Sequence, residues 1–264
     1  MMNFGLNGKV IVVAGGASGI GRAIVDLALE NSCHVAILDS NSQTLDAAVV
    51  ETSATGRRVK GYRLDVRDPA AVQQAVDAIE RELGPIYGLV NSAGISRPNL
   101  AETLTVTDWE NVLDVNLKGS FLLAQEVGRR MLTRRNGAIV LVSSVDGFGG
   151  HTARSHYTAS KFGCIGLVKS LAIEWGRHGV RVNAIAPGIV DTPLLRANIV
   201  RAHIEGVMLD RVPMARLSTG LDQARATLFL LSEAASYITG IALPVDGGLT
   251  AGYFTHLYGE DSGR

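Results

Sequence analysis

The chain is poor in several things at once. Its 264 residues include only two cysteines, Cys33 and Cys164. Both lie in apolar surroundings, the pattern of buried thiols in a reducing compartment and not of a disulfide framework. An excess of one charge is also missing, since Lys+Arg and Asp+Glu each number 25. A neutral chain gives no electrostatic reason to bind nucleic acid or an anionic membrane. The basic pairs Arg57-Arg58 and Arg134-Arg135 read as solvated loop and helix-end charges. No apolar run approaches the roughly 18 residues of a membrane span. The opening "MMNFGLNGKVIVVAGG" lacks the basic start and cleavage site of a signal peptide. A soluble, cytoplasmic protein is expected. There is no H-E-x-x-H and no Cys/His cluster, so no metal site is expected. There is no G-x-S-x-G either. Ser144, Asp146, His151 and His156 crowd together, but the order is too compressed for a hydrolase triad.

Glycine and apolar residues are what the chain has in quantity. Hydrophobic residues make up 47%, and mean hydropathy is +0.20. Seven short apolar runs recur: "KVIVVAG", "HVAILD", "VKGYRLD", "IYGLVN", "AIVLVSS", "VRVNAIAP" and "GIALPVD". Most are β-branched and apolar on both faces, as parallel strands covered above and below must be. Between them lie helix-length segments. From Asp108 to Arg130 and from Tyr157 to Trp175, apolar residues return at helical spacing. The expectation is a Rossmann-type, doubly wound α/β sheet of about seven parallel strands with helices on both faces. No linker or repeat interrupts it, so residues 1–264 read as a single domain. The segment Asp191–Leu217 is longer than a tight connection, and such lengths in compact domains usually serve function.

The 30 glycines exceed an average near 7%. The first apolar run ends in "AGGASGIG", Ala14 to Gly21, where a helix should begin. Gly15 permits a tight turn. Gly19 and Gly21 let the backbone approach a pyrophosphate, to which the helix N-terminus offers free N–H groups. An ordinary tight turn is the plainer reading, but the position after the first strand favours a dinucleotide. Asp39 closes the second run. An acid there accepts hydrogen bonds from both ribose hydroxyls of the adenosine and repels a 2′-phosphate. Ser18 and Ser40 supply no compensating charge, so NAD is expected over NADP. A helix cap is the alternative for Asp39. Asp65, ending the third run, could reach the adenine edge.

These residues resemble the short-chain dehydrogenases/reductases from about Gly8 to Gly248. "AGGASGIG" is similar to the family's TGxxxGxG, with Ala14 for the usual Thr. "NSAG" (Asn91–Gly94) is similar to its NNAG, with Ser92 for the second Asn. Val115-Asn116, "VSS" ending at Ser144, "YTASK" (Tyr157–Lys161), Pro187-Gly188 and "DGG" (Asp246–Gly248) follow in order. The resemblance implies a catalytic tetrad of Asn116, Ser144, Tyr157 and Lys161. It also implies cofactor contacts from Gly15, Ser18, Gly19, Ile20 and Gly21, from Asp39, Asp65 and Val66, and from Pro187, Gly188, Val190 and Thr192. Asn91, Ala93 and Gly94 are expected on the adenosine side. Members are often tetramers that pair two long helices, and Gly163 and Gly166 are consistent with close packing there. A homotetramer is expected, acting on a small-molecule substrate.

The chemistry asks for these residue types. A hydride moved to or from a carbonyl carbon requires a proton at its oxygen, which the protein must supply. A free phenol, with pKa near 10, is a poor base at neutral pH. A cation one helical turn away favours the phenolate, by about 4 kcal/mol at 4 Å and an effective dielectric near 20. Lys161 stands one turn from Tyr157. Ser144 ends its strand where its hydroxyl can hold the substrate oxygen, or more plainly cap backbone. Asn116 is a poor helix former in mid-helix. It suits a water-mediated proton path from Lys161, or is a solvent-facing amide. "VDGFGGHTARSH" should edge the substrate pocket, where Asp146, His151 and Arg154 make a polar rim suited to a polyol or sugar derivative. A 3-oxoacyl reductase acting on carrier-bound chains is the enzymatic alternative. Such relatives usually take NADP, and Ile173 stands where they carry Arg, although Arg129 would still fit a carrier. A non-catalytic NAD(H) sensor is the other alternative.

Overall fold

Strand β1 (Val10–Ala14) reads VIVVA, and all five residues are buried. Such a strand needs cover on both sides. Val10, Val12 and Ala14 join one apolar cluster, while Ile11 and Val13 join another. The computed structural model describes residues 4–53, 58–198 and 200–252. Six further strands flank β1: β2 (His34–Asp39), β3 (Val59–Arg63), β4 (Ile86–Asn91), β5 (Gly137–Val142), β6 (Val180–Pro187) and β7 (Ala242–Val245). They pair in the order β3-β2-β1-β4-β5-β6-β7, all parallel.

Helices α1 (Gly19–Glu30), α2 (Ser42–Ser53) and α9 (Gly220–Leu231) cover one face. Helices α3 (Pro69–Leu83), α5 (Gly119–Arg134) and α6 (Ser155–Trp175) cover the other. Each fully buried Val, Leu or Ile adds about 1.5–3 kcal/mol. Many such residues from both faces hold the sheet rigid beneath the site. The seven strands and two helical layers are those expected. The two edge strands depart from the pattern: β3 is exposed at three of its five positions, and β7 has no fully buried residue.

The segment read as one helix from Asp108 to Arg130 is three elements. Helix α4 (Val106–Leu113) runs into a π-helical turn, Asp114–Lys118, and then into α5. Thr105 opens α4 by accepting the Asp108 N–H. Asn116 lies in the wide turn, a feature that recurs at functional sites. The long segment after β6 contains two short helices, α7 (Pro193–Asn198) and α8 (Arg201–His203), then a π turn (Ile204–Met208) and a 3₁₀ turn (Leu209–Arg211). Cys33 and Cys164 are free and buried, and burial pushes the Cys33 thiol up to about 12. The tail beyond Gly252 lies outside the described residues.

Candidate active site

Chain order reverses at β1, which lies between β2 and β4, and this opens a crevice at the carboxyl ends of the strands. The glycine turn fills its floor. Gly15 sits at φ +71 and Gly19 at φ +55, where side-chain-bearing residues are strained. A Cβ on Gly15 would also come within 2.7 Å of the Ala93 amide nitrogen. At Gly21 a Cβ would collide with the Gly15 carbonyl oxygen and Ser92 Oγ. Ser18 precedes α1 without spending its hydroxyl on a capping bond. The opening amides of α1 have no helical partner and face this end of the sheet.

Asp39 flanks the turn. Its carboxylate accepts N–H bonds from Ala17 at 3.3 Å and Asn41 at 3.1 Å. It does not cap α2, because Asn41 does so through bonds from Gln43 and Thr44. A cavity of about 580 Å³ lies here, lined by Gly15, Ser18, Gly19, Ile20 and Gly21, by Asp39, Asp65 and Val66, and by Ala93, Gly94 and Thr192. Asp65 is engaged by Arg67 through bonds of 2.6 and 3.0 Å. This bonding holds its carboxyl below the usual range. Asn91, expected to line this side, stands behind the wall. It is buried, donating to Ser120 Oγ at 2.9 Å and accepting the Ala93 N–H at 3.1 Å.

A second cavity of about 580 Å³ shares Ile20, Ser92, Gly94 and Thr192 with the first. Ser144, Tyr157 and Lys161 line it, with Pro187, Gly188 and Val190. Lys161 is buried. Its Nζ donates to the Val142 carbonyl at 2.8 Å and lies 5.4 Å from the Tyr157 ring centroid. Ser144 Oγ accepts the Asp146 N–H at 3.1 Å, so the plainer capping reading holds alongside its place in the cavity. Asn116 is not solvent-facing; it is 1% exposed. Its Oδ1 accepts the Ile95 N–H at 2.9 Å. Its Nδ2 donates to the Ile95 carbonyl at 3.0 Å and to Ser160 Oγ at 3.1 Å. Gly94 lies against both Asn116 and Lys161: a Cβ there would come 3.3 Å from Asn116 Oδ1 and 3.7 Å from Lys161 Nζ. It therefore belongs to the chemical half of the crevice as much as to the adenosine half.

Asp146 and His151 both line this cavity, as does Arg154. Asp146 is buried rather than a solvated rim residue. Burial pushes its carboxyl up, against the pull of His151 and Arg154. His151 is exposed, with Nδ1 2.9 Å from the Thr152 carbonyl. Several residues went unrecognised in the sequence. Ser120 Oγ donates to the Asn116 carbonyl, and Ser160 Oγ donates to the Tyr157 carbonyl, both at 2.6 Å. Their signals were available: Ser120 is one turn from Asn116, and Ser160 lies inside "YTASK". His203 and Arg211 reach the cavity from the segment after β6 and carry no such signal. Gly163, expected at a packing of helices, has a close neighbour within its own chain. A Cβ there would come 2.7 Å from Leu117 Cδ2.

The joined cavities fit a nicotinamide dinucleotide, with a glycine turn and helix N-terminus for a pyrophosphate and an acid beside it for a ribose. Comparison with known proteins agrees. Residues 14–250 match the family model described as Enoyl-(Acyl carrier protein) reductase. The chain is 41% identical over 249 residues to D-threitol dehydrogenase of Mycolicibacterium smegmatis, covering 94% of this chain and 95% of that one. It is 38% identical over 244 residues to a 3-oxoacyl-(acyl-carrier-protein) reductase of Thermotoga maritima, covering 92% and 98%. The crystal structure of levodione reductase superposes with a TM-score of 0.90 at 33% identity, covering 94% of this chain and 100% of that one. The chain belongs to the short-chain dehydrogenase/reductase family of oxidoreductases. Among the described residues no helix is long and apolar enough to cross a membrane, and no group of three metal-ligating side chains occurs.

Proposed function

We propose that the chain is an NAD-dependent enzyme interconverting a secondary alcohol, a polyol or sugar derivative, and its ketone. One observation carries this reading: Ser144, Tyr157 and Lys161 line a single cavity that opens into the glycine-turn crevice. Gly15, Ser18, Gly19, Ile20 and Gly21 would hold the pyrophosphate. Asp39 would take the adenosine ribose, and Val190 and Thr192 the carboxamide. A bound nicotinamide would accept or supply a hydride, two electrons with one hydrogen nucleus, at the carbinol carbon. Tyr157 takes the proton from the alcohol oxygen, leaving the ketone, and returns it in the reverse direction. Ser144 holds that oxygen by a hydrogen bond. The Lys161 ammonium stands 5.4 Å from the ring centroid, a cation placed beside the phenol. Lys161 would also hold the nicotinamide ribose hydroxyls. The proton leaves through water beside Lys161, while Asn116 fixes the loop around it.

Asp39 supports NAD over NADP, since a 2′-phosphate would meet a carboxylate. The carrier-linked 3-oxoacyl reductase is the second reading, favoured by the name of the Thermotoga relative. Asp39 speaks against it, and so does Ile173, which is 82% exposed where a carrier-binding Arg is expected. A homotetramer in the cytoplasm completes the proposal. The exposed Phe121 of α5 and Phe162 of α6 support pairing of these helices, which sizing chromatography tests. The activity is tested by an NADH-absorbance screen over polyols, sugars, hydroxy acids, steroids and simple secondary alcohols. Turnover of at least one is expected. A Tyr157→Phe variant should lose about 10²- to 10⁴-fold in kcat while still quenching on NADH binding. No turnover of any alcohol or ketone, with NADH still bound, would favour a sensor and sink the proposal.

A further inference from the structure

Charge is balanced over the chain as a whole but not within the cavity that holds Tyr157. Three cations line it, Arg154, Lys161 and Arg211, against one carboxylate, Asp146. Lys161 donates to the Val142 carbonyl and is assigned above to the cofactor ribose. Neither arginine makes a hydrogen-bonded ion pair among the described residues. The Arg154 side chain is only 18% exposed, and its nearest acid oxygen, Asp146 Oδ2, lies 3.9 Å away. That distance is too long for a hydrogen bond. Its guanidinium carbon lies 5.5 Å from the Tyr157 ring centroid. Among the described residues no hydrogen bond takes any of its five N–H donors. Arg211 also lines the cavity, exposed, and makes no ion pair among the described residues. Other arginines of the same segment behave differently. Arg196 grips Asp191 at 2.7 Å, and Arg216 grips Asp222 at 2.8 Å. Arg154 and Arg211 thus bring N–H donors to the cavity that no hydrogen bond takes among the described residues.

A half-buried guanidinium never gives up its proton, and its planar fork matches a carboxylate. We infer that the substrate carries a carboxylate, gripped by Arg154 and drawn in by Arg211, and is a hydroxy acid or the corresponding oxo acid. This rests on the functional reading above and narrows it. Because Arg154 lies beside the Tyr157 ring, the carboxylate stands only a few bonds from the carbinol carbon. Asp146 then serves a neighbouring hydroxyl. Its own charge is offset by Arg154, 3.9 Å away.

The test is a set of matched pairs assayed with the full chain and NAD: short hydroxy acids, their primary amides and the phosphate monoesters of equivalent diols. The acids should exceed their amides in kcat/KM by about ten- to hundredfold, chiefly through KM. In Arg154→Gln this acid-to-amide ratio should fall towards one, and Arg211→Gln should lower it in part. Should Arg154→Gln fail to fold, judged by its melting transition, the Arg211→Gln ratio decides. Raising the ionic strength should erode the preference of the native chain. Equal rates for acids and amides, or a preference for the phosphate esters, would overturn the carboxylate while leaving alcohol oxidation in place. Failure of every alcohol, charged or neutral, would remove the functional reading itself, and this inference with it.

Discussion

Gly21→Ala adds one methyl group where the crevice has no room. The new carbon would overlap the Gly15 carbonyl oxygen and Ser92 Oγ. The serine can rotate, but it donates to the Ala14 carbonyl at 2.8 Å and would lose that bond. The Gly15 carbonyl is backbone and can move only with the turn. Overpacking of this kind costs about 1–3 kcal/mol, and the backbone partner puts it at the upper end. In a chain of this size about 3 kcal/mol lowers Tm by roughly 5–10 °C. The displaced turn should also weaken NADH binding by tenfold or more, read by fluorescence titration. Gly163→Ala is the control, since it makes the same chemical change in α6. Its clash is with Leu117 Cδ2 at 2.7 Å, the end of a flexible side chain, and helix propensity returns up to about 1 kcal/mol. It should shift Tm by no more than about 3 °C and leave NADH affinity alone. Equal effects of the two variants, or an unchanged Kd for NADH in Gly21→Ala, would refute the role given to the turn.

Asp39→Ser removes the carboxylate beside the turn. The preference for NADH over NADPH, measured as a ratio of kcat/KM values, should fall by tenfold or more; an unchanged ratio would place the discrimination elsewhere. Asp146→Asn tests burial of a charge through pH. An acid whose folded value is raised carries no penalty below its unfolded value of about 4, and the full penalty above its folded value. The variant should therefore melt higher than the native chain near neutral pH, and the gap should close as pH falls towards about 4. A constant gap across that range would show that ionisation of Asp146 is not its source.

Strands were the most legible part of the fold. β2, β4 and β6 begin and end where their apolar runs do, because almost all of their residues are buried. β3 was harder, since an edge strand is half solvated and its pattern dilutes. The break at Asp114–Lys118 was hidden for a different reason. A π turn keeps the backbone helical and leaves the apolar spacing almost intact, so Val112 and Met131 both reach the interior across it. In the site, Tyr157 and Lys161 were readable because one helical turn separates them, whereas Ser144, expected to end its strand, lies two residues past the end of β5 and caps the turn that follows. Asn116 was readable by spacing, but not its burial, which depends on the loop at Ile95 closing over it. Arg211 and His203 could not be foreseen, because the turns that carry them have no period to read.

Asn116 has one more consequence. Its amide gives Ile95 an acceptor for its N–H and a donor for its carbonyl, the two-bond exchange that one strand residue makes with another. The loop leaving β4 thus meets a single side chain as though it were the edge of a sheet. That loop also carries Ser92 and Gly94, the residues that partition the crevice. An aspartate at this position would keep the acceptor and lose the donor, so the partition would be held on one side only. The cofactor contacts and the proton path proposed above would then loosen together.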